Sequence, residues 1–134
     1  MQIRRFDLDS QGLARVLGEL EARILEMVWA LGQPTVKEVT AQLGPQAHFK
    51  TVMTVMNRMV EKQLLTRRLR GRQFVYTAVL DREAFFQQVA SRVLSGLLSD
   101  FGSPTMAHFL AGATPEQLAE LEQLLAKRRK GEEA

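Results

Sequence analysis

Lys50, Thr51, Thr54, Asn57 and Arg58 are spaced so that one helix would carry them on its outward side. Ammonium and hydroxyl groups suit phosphate oxygens. The Arg fork matches O6 and N7 of guanine, and the Asn amide matches N6 and N7 of adenine. His48 stands just before this run, and Arg67, Arg68, Arg70 and Arg72 follow it. Residues 48–72 hold 7 basic residues and one acidic residue, Glu61. The chain as a whole carries only +3, and residues 81–134 are net acidic, with 6 basic against 8 acidic. A basic excess confined to one segment is the footprint of a polyanionic partner. Each residue also has a plainer reading. Asn57 and Arg58 suit the wet face of any amphipathic helix, and hairpin arginines can guard edge strands. Met53, on the same outward side, suits either a thymine methyl group or a neighbouring element.

The elements that must position these groups can be read from the hydrophobic period. Leu20, Ile24, Val28 and Leu31 make a first helix, ended by Gly32-Gln33-Pro34. Thr35 and Glu38 form a capping box that opens a short second helix burying Val36, Val39 and Leu43. Gly44-Pro45 stops it. Val52, Val55, Met56, Met59 and Val60 form the inner stripe of a third helix. The period then falls to two over 64–69 and 73–79, with Arg70-Gly71-Arg72 between. This predicts a hairpin, with Leu65 and either Phe74 or Tyr76 packing inward. Asp81 caps a long helix from Arg82 to about Ser99. Ser103-Pro104 and Thr114-Pro115 open two more, the last running to about Lys130 with a frayed end over 131–134.

Helix, helix, helix, hairpin is the order of a winged helix-turn-helix, whose third helix enters the major groove and whose hairpin is the wing. The fold class expected is mainly α with a small β-hairpin. Residues 1–16 are read as an N-terminal arm or extension, 17–80 as the DNA-binding domain and 81–134 as helical dimerisation elements. Phe85, Val89, Val93 and Leu97, with Leu118, Leu121 and Leu125, are too apolar for solvated helices, so a second copy is their natural cover. The expected DNA-contacting set is His48, Lys50, Thr51, Thr54, Asn57, Arg58, Arg67, Arg70 and Arg72.

Other classes find little support. The chain has no cysteine and two histidines, so thiol chemistry, disulfides and a His-rich metal site are not expected, and a reducing cytoplasm suits it. No apolar run approaches ~20 residues, and the N-terminus lacks the apolar stretch of a signal peptide. No phosphate loop, metal-ligand spacing or nucleophile motif appears, so neither an enzyme nor a cofactor is expected. A winged-helix module that binds protein in place of DNA is the alternative, and such modules usually lack a basic outward helix face.

Leu17-Gly18-Glu19-Leu20-Glu21, Val28-Trp29, Lys50-Thr51-Val52-Met53-Thr54-Val55-Met56-Asn57-Arg58-Met59, and Gly71-Arg72 before Phe74-Val75-Tyr76 resemble the penicillinase and methicillin-resistance repressor family. The likeness covers about residues 17–130. It implies a homodimeric winged-helix repressor on an operator, with Lys50, Thr51, Thr54 and Arg58 at the DNA and Trp29 in the core. Copper-responsive members carry a C-terminal cysteine cluster, which this chain lacks. Antibiotic-responsive members are cut at an Asn-Phe bond, which makes a sensor-linked protease a candidate partner. His108-Phe109 stands at that place here, after an expected helix interruption at Asp100-Phe101-Gly102-Ser103-Pro104. Operator release by proteolysis or by a ligand is the expectation.

Overall fold

The computed structural model describes residues 3–133, and the side chains up to Glu132. The chain divides into two units, one ending at Ser91 and one beginning at Arg92.

The first unit opens with a 3-10 turn, Gly12–Arg15, followed by α1 (Glu19–Leu31), α2 (Val36–Leu43) and α3 (Phe49–Glu61). The hairpin β1 (Leu65–Arg70) and β2 (Gln73–Ala78) comes next, and then α4 (Arg82–Phe101), which continues into the second unit. With three helices leading into a two-stranded wing, the first unit is a winged helix-turn-helix.

Local chemistry sets the boundaries. Glu21 accepts from the Gly18 N–H (3.3 Å) at the start of α1. Gly32, at φ 84°, closes α1 by donating to the Val28 carbonyl (2.8 Å). The capping box of α2 forms as its spacing predicts, with Glu38 N–H on Thr35 Oγ1 (3.1 Å) and Thr35 N–H on Glu38 Oε1 (3.3 Å). α3 ends in a feature its sequence hides. Leu64 N–H reaches the Met59 carbonyl (2.9 Å) and Gln63 N–H the Val60 carbonyl (3.0 Å), with Gln63 at φ 64°. This is a Schellman ending with Gln at the position glycine usually fills, and buried Met59 and Leu64 supply its apolar contact.

The wing is antiparallel, with Leu65 opposite Ala78, Arg67 opposite Tyr76 and Leu69 opposite Phe74. Gly71 (φ 66°) and Arg72 make its two-residue turn, and the positive φ at the first of them matches the twist of the strands. Of the two inward candidates, Tyr76 is buried and Phe74 is exposed. The Tyr76 N–H bonds the Pro34 carbonyl (2.9 Å), tying the wing to the entrance of α2.

Ile24, Leu25 and Val28 of α1, Val39 of α2, and Val52, Met56 and Met59 of α3 form the core together with Leu65, Tyr76 and Phe85. Each large apolar side chain buried this way contributes roughly 1.5–3 kcal/mol. Trp29 stacks edge-on to Phe85 (5.7 Å) and donates Nε1–H to the Leu80 carbonyl (2.9 Å), while Arg82 pairs with Glu26 over the Trp29 ring. The start of α4 is thereby anchored on α1.

The segment expected as an arm or extension is packed on the core. Leu13, Val16 and Leu17 are buried, Asp7 N–H donates to the Arg15 carbonyl (2.7 Å), and Arg5 is bonded to the Leu17 carbonyl (2.9 Å). Leu13, Val16 and Leu17 are spaced i, i+3, i+4, a single apolar turn too short to stand out among the surrounding charges. Met1 and Gln2 of that segment lie outside the described residues.

In the second unit α4 runs through to Phe101, and Gly102 (φ 55°) alone separates it from α5 (Ser103–Gly112). The expected five-residue interruption therefore narrows to one glycine, and Ser103 lies inside α5 instead of capping it. α6 (Pro115–Glu133) has a Thr114 cap that accepts from Gln117 N–H (3.1 Å). α6 continues over Gly131, where fraying was expected, with Arg128 and Glu132 paired at 3.5 Å. Ala134 lies outside the described residues.

Candidate nucleic-acid interface

The outward side of α3 carries two neighbouring ridges. Lys50, Thr54 and Arg58, at i, i+4 and i+8, are all exposed, as is Thr51 beside them. The Thr54 hydroxyl donates to the Lys50 carbonyl (2.9 Å), which leaves its oxygen to accept. His48 occupies the N-cap position, and its exposed side chain makes no cap bond. The first N–H groups of α3 thus lack a side-chain acceptor there, a setting that suits a phosphate oxygen.

The second ridge, Phe49, Met53 and Asn57, lines a concavity of about 270 Å³ together with Arg67, Arg72 and Phe74 of the wing. Phe49 and Phe74 keep 49% and 40% of their surface exposed, so apolar contact area lies within a basic rim. Sequence reasoning missed Phe49, Phe74 and Lys37, which also borders this concavity. The i, i+4, i+8 spacing of Phe49, Met53 and Asn57 was the available signal.

Asn57 is engaged within the protein. Its Oδ1 accepts from Arg67 Nη1 (2.8 Å) and from the Tyr76 hydroxyl (2.8 Å). Arg67 in turn lies over the Phe74 ring at 4.4 Å. Asn57 is therefore turned toward the wing, and Arg67 is already engaged within the protein. The pleat also divides the arginines. Arg67 shares its face with Tyr76, whereas Arg68 (on Gln33 Oε1, 3.1 Å) and Arg70 lie on the other. Arg70 and Arg72 are exposed at the tip.

The sequence profile of the penicillinase repressor family matches residues 17–127. The chain belongs to that family. A penicillinase repressor from Bacillus licheniformis is 25% identical over 113 residues, covering 81% of this chain and 88% of its own. Two solved structures are also similar. One is described as a possible transcriptional regulator for arsenical resistance (20% identity, TM-score 0.47, 68% of this chain and 88% of that one). The other is Streptococcus pneumoniae FabT in complex with DNA (14% identity, TM-score 0.47, 89% and 78%). As a member of the penicillinase repressor family, the chain is a DNA-binding transcriptional repressor by class. The family is one of transcriptional regulators, not enzymes.

The residues expected to pair two copies of this family member divide between the units. Phe85 is only 2% exposed, inside the core of the first unit and closed to a partner, and Val89 is half-buried against that core. Their helical spacing with Val93 and Leu97 concealed the point along α4 where packing on the core ends. Val93 and Leu121 are half-buried, and Leu97, Leu118 and Leu125 are exposed. Leu94, Leu98, Phe101 and Leu124 add exposed apolar surface. His108 and Phe109 are exposed but lie in the middle of α5, so a protease would have to open that helix to reach the bond between them. Among the described residues, no cluster of His, Cys, Asp or Glu could hold a metal ion, and no helix is long and apolar enough to cross a membrane.

Proposed function

We propose that the protein represses transcription by binding a pseudo-palindromic operator as a homodimer. α3 enters the major groove, and the wing tip follows the adjacent backbone. Lys50, Thr51 and the N-terminus of α3 with His48 take phosphates. Thr54 and Arg58 face base edges, and Arg70 and Arg72 take backbone phosphates. The observation that carries this reading is the exposed Lys50, Thr54 and Arg58 ridge beside a wing whose tip is basic. The exposed leucines of α4 and α6 pair with those of a second copy. Two-fold pairing presents two α3 helices to half-sites about one helical turn apart. Loss of pairing, through a cut between Asp100 and Phe109 or through a ligand at the pairing face, releases the operator.

The test is selection of duplexes from a randomised pool by the native chain, followed by mobility shift of the selected duplex at fixed salt. Specific binding is expected. Arg58→Ala is expected to lose roughly 1–3 kcal/mol of discrimination at one operator position. Retention of no preferred sequence, or an Arg58→Ala protein that binds and discriminates like the native chain, contradicts the assigned face.

A further inference from the structure

Asn57 sits where a base-reading residue is expected, at the next turn of α3 from Met53 and next to Arg58. Its amide orientation is forced. Arg67 carries only donors, so the Asn57 atom 2.8 Å from it must be the carbonyl oxygen. The same oxygen takes the Tyr76 hydroxyl at 2.8 Å, and two donors fill its two lone pairs. Adenine recognition by Asn needs that oxygen to accept from N6 while the NH2 group donates to N7. Here the acceptor half is already occupied.

The donors belong to the wing and are held there. Tyr76 is buried, and its backbone N–H bonds the Pro34 carbonyl. Arg67 is the cross-strand partner of Tyr76 and lies over Phe74. Asn57 is thus the acceptor on α3 for two side chains from the two strands of the wing.

We infer that Asn57 is a positioning residue that fixes the wing against the recognition helix, and that base readout falls to its neighbours Thr54 and Arg58. The inference rests on the proposed DNA-contacting face. The wing tip can hold phosphates while α3 reads bases only if the angle between the two is kept, and a misplacement of about 1 Å is enough to weaken such paired contacts. Asn57 and Tyr76 keep that angle, and Arg67 takes its place in the same network instead of acting as a free phosphate ligand.

The test uses the full chain, the duplex selected by the native protein, and the variants Asn57→Ala and Tyr76→Phe. Tyr76→Phe keeps the buried ring and removes only the hydroxyl, from a residue too buried to touch DNA. Each variant is expected to weaken binding about five- to tenfold, the effect of removing one or two hydrogen bonds in a shared network. The weakening is expected to be equal for matched and singly mismatched duplexes, and the double variant to be less affected than the product of the two. Without DNA, amide exchange over residues 65–78 is expected to quicken in both variants while that of α1 is unchanged. The inference is overturned if Asn57→Ala relaxes base preference at one operator position while Tyr76→Phe has no effect. If the native chain shows no sequence preference at all, the DNA-contacting face is wrong, and exchange in the hairpin still decides the positioning role. Unchanged exchange overturns it, and faster exchange in both variants supports it.

Discussion

Up to Ser91 the chain gathers many of its large apolar side chains into a buried core, and from Arg92 it leaves most of them in the open. Ile24, Met56 and Met59 are fully buried, whereas Phe101, Leu124 and Leu94 keep 63%, 54% and 52% of their surface exposed. Both regions are helical and both contain regular apolar positions, so periodicity alone does not distinguish them. What distinguishes them is cover. α1, α2, α3 and the wing converge on one core, while the apolar side chains of α5 and α6 leave none of their own kind fully buried. Extensive exposed apolar surface is more typical of an interface than of a free surface. On the proposed reading the first region carries the DNA chemistry and the second supplies the pairing that makes it effective.

The largest expected effect comes from breaking the pairing. Leu118→Glu combined with Leu125→Glu places charge on one face of α6 and is expected to yield a folded monomer by light scattering at micromolar concentration. Operator affinity falls with it, by about 10²–10⁴ because the second DNA-contacting head no longer adds its avidity. A double variant that keeps a dimeric mass removes the pairing role from α6. Next comes Phe85→Ala, which strikes the other region. Loss of a ring stacked on Trp29 is expected to cost about 3–5 kcal/mol of stability in thermal or denaturant unfolding. A truncation of similar size at exposed Phe101 is expected to leave the unfolding of the first region unchanged. Equal effects at the two positions would erase the contrast between the regions. The smallest effect belongs to the wing tip. Arg70→Ala or Arg72→Ala should weaken all duplexes alike and reduce the slope of log affinity against log salt by roughly 0.9 for each phosphate that is no longer neutralised. A slope identical to that of the native chain removes that arginine from the interface.

Much of the first region is legible in the sequence because its signals are local and agree with one another. The Thr35–Glu38 box, the Val52, Met56 and Met59 stripe and the Gly71 turn each depend on residues a few positions apart. The features that escaped depend on partners far along the chain. Asn57 resembles a base reader until Arg67 and Tyr76, 10 and 19 residues away, fill its oxygen. Phe85 resembles the start of a pairing stripe until Trp29 is found against it. The packed N-terminal segment is anchored by one apolar turn and by bonds to backbone carbonyls, such as that from the Arg5 guanidinium to Leu17, for which no sequence pattern exists. The ending of α3 carries glutamine where glycine is the usual signal.

On the proposed reading, two copies place two α3 helices in successive turns of the operator's major groove. A hydroxyl-radical footprint of the native chain on its selected duplex measures this directly. Two protected patches related by a two-fold axis are expected, their centres about 10 base pairs apart. A single patch, or even protection along the whole duplex, would contradict it.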